Sequence, residues 1–82
     1  MKTKTFDDYD VAVGKIIKQA RKARKYSVPK MVDMLDIKSK STYFDYERGK
    51  IGLTIARFNR ICEILLLDPV EVMEQARQEV KK

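Results

Sequence analysis

Apolar residues recur along this chain with the 3.6-residue rhythm of amphipathic helices, interrupted at short intervals by turn chemistry. Val13, Ile16, Ile17 and Ala20 stand at i, i+3, i+4 and i+7, which predicts a first helix from about Asp10 to about Lys25. Lys15, Lys18, Lys22 and Lys25 fall mostly off that face. Ser27 offers a side-chain oxygen for the next helix start, with Pro29 in the first turn, where its missing N–H costs nothing. Val28, Met31, Val32 and Leu35 repeat the spacing and predict a second helix of about eight or nine residues, ending near Asp36. In the polar stretch after it, Ile37 is expected to plug the core.

Ser39 or Ser41 can cap a third helix, in which Tyr43 and Tyr46 share a core-facing side and Thr42, Phe44, Asp45 and Arg48 point elsewhere. Gly49 is placed to end it in the left-handed region. Thr54 is the candidate cap of a fourth helix with the apolar stripe Ile55, Phe58, Ile61, Cys62 and Leu65. Asp68-Pro69-Val70-Glu71 puts Asp at the cap, Pro first and Glu third, and Leu67 and Val72 flank it as a hydrophobic staple. Val72, Met73, Ala76 and Val80 carry that last helix, about residues 69–80. The pattern predicts an all-α protein: a compact bundle of five short helices in one domain, residues 11–82, after an N-terminal arm at 1–10. Met31, Met34 and Met73 are read as filler of the core or of an interface. Helices this short need mutual packing to persist.

Composition narrows the chemistry. The 82 residues are 44% hydrophobic and 37% charged, too apolar for a disordered tail and too charged for a membrane protein. The longest apolar run is Ile64-Leu65-Leu66-Leu67, whereas a membrane span takes roughly 20 residues. No apolar stretch follows Met1-Lys2-Thr3-Lys4, and Cys62 has no partner for a disulfide, so a cytoplasmic setting is expected. There is no histidine, and the three glycines are scattered. No catalytic constellation, metal site or cofactor loop can be assembled from this inventory, and an enzyme is not expected. The net charge is +6, concentrated in residues 11–60, where thirteen Lys/Arg face four acidic residues. Such an excess attracts polyanions, nucleic acid first.

The stretch Tyr26-Ser27, Met31-Val32, Leu35-Asp36-Ile37, Ser41-Thr42-Tyr43 and Tyr46-Glu47-Arg48-Gly49 resembles the Cro/C1-type (XRE-like) helix-turn-helix domains of phage and bacterial repressors. Phe58, Ile61-Cys62, Leu65 and Leu67-Asp68-Pro69 resemble the family's fourth helix and its exit. The resemblance spans about residues 12–74 and implies a lambda-repressor-like DNA-binding fold. It implies that Arg21 pairs with Glu47 as a structural tie to the recognition helix. It implies that Ser27 caps a helix start facing a phosphate, and that Lys40, Ser41, Phe44 and Asp45 are base-reading positions. Lys50 matches a position that approaches the backbone. The DNA-facing set is completed by Lys38, Ser39, Thr42 and Arg48. The sequence departs from the family pattern at Val28, where glutamine is frequent, and at Asp36 and Leu66, where glycine is frequent. One extra residue lies between Asp36 and Glu47.

The resemblance thus implies a sequence-specific transcriptional regulator on double-stranded DNA, repressor-like, reading the major groove with the third helix. A homodimer through the C-terminal helix is expected, with Val72, Met73, Ala76 and Val80 as its surface and no small-molecule effector evident. The other reading is a helix-turn-helix fold used as a protein-interaction module, an accessory of a phage, conjugation or toxin–antitoxin system. Val28, Asp45 and an exposed Phe44 favour it.

Overall fold

Side-chain caps begin four of the helices and left-handed residues end four, in a chain whose residues 8–81 are described by a computed structural model. The order is α1 (Asp8–Ala23), α2 (Val28–Leu35), α3 (Lys40–Arg48), α4 (Ile55–Leu65) and α5 (Pro69–Lys81), with no strand among the described residues. Ser27 Oγ accepts from the Lys30 amide at 3.2 Å and Ser39 Oγ from the Ser41 amide at 3.0 Å. Thr54 Oγ1 accepts from the Arg57 amide at 3.1 Å, and Asp68 Oδ1 from the Val70 amide at 2.9 Å. Each satisfies an N–H that the helix itself leaves unpaired. The cap of α3 is Ser39, which puts Ser41 inside the helix.

Four helices end in one motif. Lys25, Asp36, Gly49 and Leu66 take φ of 61°, 57°, 76° and 56°. The residue after each donates its amide back five positions: Tyr26 to Arg21, Ile37 to Val32, Lys50 to Asp45 and Leu67 to Cys62, at 2.8–3.1 Å. This is the paired-carbonyl ending that a left-handed residue makes possible. At three of the four, the residue after the bend is an apolar side chain packed on the core: Tyr26, Ile37 and Leu67.

α1 packs along α5 and α3, while α2 packs on α3 and α4. Ile17, Met31, Tyr43, Ile61, Cys62 and Leu65 are fully enclosed among them. Only Cα–Cβ-free surfaces let α1 meet α3 so closely: a Cβ on Gly14 would lie 2.6 Å from the Tyr46 carbonyl oxygen, and one on Gly49 would lie 2.6 Å from the Val11 amide nitrogen. Among the described residues no helix is long and apolar enough to cross a membrane.

Four expectations need correction. Asp8, Tyr9 and Asp10 belong to α1 rather than to an arm, because Asp8 and Asp10 supply negative charge at the helix's positive end; residues 1–7 of the expected arm lie outside the described residues. α1 stops at Ala23, since Lys25 takes the left-handed conformation that closes it. Ile55 does not join the core stripe: it is the first residue of α4 and is 80% exposed, so the stripe begins at Phe58. Val72 and Ala76 are not a free dimer surface, because both are buried in the same core as Ile17 and Leu65.

Candidate nucleic-acid interface

α3 has two unlike sides, and the unlikeness follows from its sequence. Tyr43 and Glu47, four residues apart, face inward and are buried. Arg21 from α1 reaches them: its Nε donates to Glu47 Oε2 at 2.7 Å and its Nη2 to Oε1 at 3.3 Å. The Tyr43 hydroxyl donates to the same Glu47 Oε2 at 2.5 Å. The remaining Arg21 Nη1 donates to the Tyr26 carbonyl at 2.9 Å. One guanidinium therefore joins α1, α3 and the segment leading into α2. The hydrogen bond and charge of Glu47 hold the Arg21 cation above its already high ordinary pKa. Burial, then the bond to Glu47, pushes the Tyr43 phenol well above the ordinary tyrosine range, so it stays a donor.

The other side of α3 is open. Lys40, Ser41, Phe44 and Arg48 are exposed, and Thr42 and Asp45 half-buried. Asp45 Oδ1 accepts from Arg48 Nη2 at 3.0 Å, a one-turn ion pair along the helix. Lys38 and Lys50 are exposed at the two ends of α3, and Ser39 is committed to its cap. A four-residue turn, Asp36 to Ser39, runs between α2 and α3. Ser27 is exposed at the start of α2, where the Lys30 ammonium sits 4.7 Å from the Tyr26 ring centre. Lys15, Lys18, Lys22 and Lys25 add exposed positive charge from α1 and its end. The arrangement offers two helix N-termini, a string of cations and a few side chains on one exposed helical face. Backbone N–H groups and cations suit phosphate oxygens, and such a face suits a groove.

Three polar partners were not readable in the pattern. Arg57 Nη1 donates to the Leu35 carbonyl at 2.7 Å, closing the end of α2 from α4. Arg24 Nε donates to the Leu65 carbonyl at 2.9 Å, doing the same for α4. The Tyr43 hydroxyl bond hides behind a residue whose spacing marks it simply as core. A long-range arginine bond leaves no periodic signal, so nothing in the chain pointed to these.

Away from the basic face, Tyr9, Val13, Tyr46, Leu53, Phe58 and Met73 line an apolar hollow of about 170 Å³, with exposed Ile51 and Ile55 at its mouth. Among the described residues no cluster of His, Cys, Asp or Glu could hold a metal ion. Cys62 is enclosed, and burial raises its thiol pKa.

A family model described as a helix-turn-helix domain matches residues 14–77, more than three quarters of the chain. No curated protein matches it.

Proposed function

The chain belongs to the helix-turn-helix domain family, of the XRE/Cro-C1 type, and from that membership we propose that it is a sequence-specific transcriptional regulator acting on double-stranded DNA in the cytoplasm. The observation that carries this reading is the two-sidedness of α3: its inner side is tied to α1 through Arg21, and its outer side is exposed and cationic. In this proposal Lys40, Ser41 and Phe44 meet base edges, while Lys38, Arg48, Lys50 and the start of α2 at Ser27 meet phosphates. Ser39 caps the helix start, and Asp45 pairs with Arg48 along the helix, while half-buried Thr42 lies beside the base-facing residues.

Titration of a labelled duplex at several salt concentrations tests it. Binding should weaken steeply with salt, log affinity falling by about 0.9 per phosphate neutralised, with several phosphates involved. Absence of any complex near micromolar protein would overturn the proposal.

One recognition helix spans few base pairs, so the regulator is proposed to act as a homodimer on a two-fold site. On α5 the exposed apolar residues left for that contact are Val70 and Val80. A protein-interaction module is the second reading, and the observation favouring it is the exposed Ile51 and Ile55 beside an apolar hollow. That reading predicts no complex with any duplex.

A further inference from the structure

The outer side of α3 holds one large apolar side chain. Phe44 is 42% exposed and lies one turn after Lys40 and Ser41 and one turn before Arg48, all of them exposed. Its neighbours on the helix are accounted for: Tyr43 is buried with its hydroxyl on Glu47, and Asp45 is held by Arg48. Asp45, a residue that could accept from a cytosine amine, has its Oδ1 engaged by Arg48 within the helix. Ser39, the cap residue before the helix, spends its oxygen on the Ser41 amide. The middle of the exposed face is thus a phenyl ring with no hydrogen-bonding atom.

An aromatic ring at that position discriminates between bases in one way. In the major groove the only apolar group is a methyl on pyrimidine C5, carried by thymine and absent from cytosine. We infer that Phe44 is a specificity-determining residue that recognises a pyrimidine C5-methyl group in the major groove. The inference rests on the DNA-binding reading above and goes one step further, from a duplex to a chemical group on it. A ring left facing water gains when it covers a methyl, and loses that gain when the position holds a bare C5–H. The contact is worth roughly one buried methyl, about a fourfold change in affinity.

The test uses the whole chain and two random duplex libraries, one of unmodified DNA and one with 5-methylcytosine in place of cytosine. A duplex recovered from the first is resynthesised with uracil replacing thymine one position at a time, which removes only the methyl. One thymine per half-site should prove sensitive, with binding about fourfold weaker. Phe44→Ala should bind the thymine and uracil duplexes equally, and Phe44→Leu, which keeps an apolar side chain, should retain part of the difference. Circular dichroism of both variants checks that the helices remain. A motif recovered from the second library alone assigns the methyl to 5-methylcytosine and supports the inference equally. Indifference to uracil and to methylation at every position, or a sensitivity that survives in Phe44→Ala, would overturn this inference and leave the DNA-binding reading standing. Failure to recover any duplex would overturn both.

Discussion

Gly14 of α1 faces the backbone carbonyl of Tyr46 in α3 so closely that a Cβ would lie 2.6 Å from the oxygen. The neighbours are backbone atoms on a short helix already fixed by Arg21, so neither side can give way. Two effects compete at this position. Alanine in a helix interior is favoured over glycine by roughly 0.5–1 kcal/mol, while forcing a methyl into a packed contact costs about 1–3 kcal/mol. The clash wins, and Gly14→Ala should lower unfolding stability in urea despite its better helix propensity. Gly14→Val should be worse. A neutral or stabilised Gly14→Ala would mean that α1 and α3 can separate at little cost.

Leu66 presents the reverse case. It is 72% exposed and holds φ at 56°, so it contributes little burial in a conformation that glycine adopts freely. Leu66→Gly should raise stability by up to about 1 kcal/mol, the relief of backbone strain exceeding the added freedom of the unfolded chain. The same substitution at Leu65, one residue earlier and fully enclosed, should be strongly destabilising. Thermal melts of the two variants make the comparison. A loss of stability in Leu66→Gly would show that Leu66 covers apolar surface in solution.

These two residues also mark where the fold was legible. Helix starts were readable because a cap needs a particular side chain: Ser27, Thr54 and Asp68 all announce themselves, and Pro69 confirms the last. Helix ends carry a weaker signal, since the ending requires only a left-handed backbone, which Lys25 and Leu66 adopt without any residue-type signal. The ends near Asp36 and at Gly49 were readable, the latter from its glycine. Without a glycine, the better sign was the apolar residue following the bend, Tyr26, Ile37 or Leu67. Periodicity found most of the core and the apolar face of α5, yet Val72 and Ala76 were expected at a dimer surface, because spacing cannot tell which helix an apolar stripe will meet. For the candidate site, Arg21 and Glu47 lie 26 positions apart in the chain; only the resemblance linked them, and neither charge nor spacing does so. Which of the many lysines matter for binding is equally invisible to composition.

The Arg21–Glu47–Tyr43 cluster gives a prediction about stability. Arg21→Ala leaves the buried Glu47 carboxylate without its cation, which typically costs about 3–5 kcal/mol. A domain of 82 residues is stable by only about 4–12 kcal/mol, so this variant should lose a quarter or more of its stability, and at the low end of that range it should be partly unfolded at room temperature. Replacing all three groups with apolar ones, Arg21→Met with Tyr43→Phe and Glu47→Leu, should be less damaging than Arg21→Ala alone, because no charge is left buried. Chemical denaturation of the single and triple variants decides it. If Arg21→Ala cost under about 1 kcal/mol, the range of exposed pairs, the cluster would not be a structural tie.

Tyr43 adds a pH signature. Its phenol is raised in the folded chain by burial and by its bond to Glu47, whereas in the unfolded chain it titrates near the ordinary value of about 10. Above that value the unfolded chain loses a proton that the folded chain keeps, so stability falls as pH rises; below it this group contributes no pH dependence. Tyr43→Phe should cost about 1–2 kcal/mol at neutral pH through the lost hydrogen bond. The variant should also show a shallower decline of melting temperature above pH 10 than the wild type. Parallel alkaline declines in the two proteins would mean that the hydroxyl is not held protonated.

Lys40 and Lys22 separate two kinds of DNA contact. Both are exposed lysines, so their charge alone makes them equivalent. Lys40 is the first residue of α3, beside Ser41 and one turn from Phe44, whereas Lys22 is in the last turn of α1. A lysine aimed at base edges distinguishes sequences, and one aimed at a phosphate does not. Lys40→Ala should therefore relax the sequence preference of the recovered motif at one position, a loss of about 1–3 kcal/mol confined to the preferred base. Lys22→Ala should weaken binding to all duplexes alike and reduce the salt slope by about 1. Binding of each variant to the selected duplex and to single-base substitutions of it, at two salt concentrations, separates these effects. If both variants lost affinity uniformly, the start of α3 would not be seated in the groove, and the orientation proposed for the whole domain on DNA would have to be abandoned.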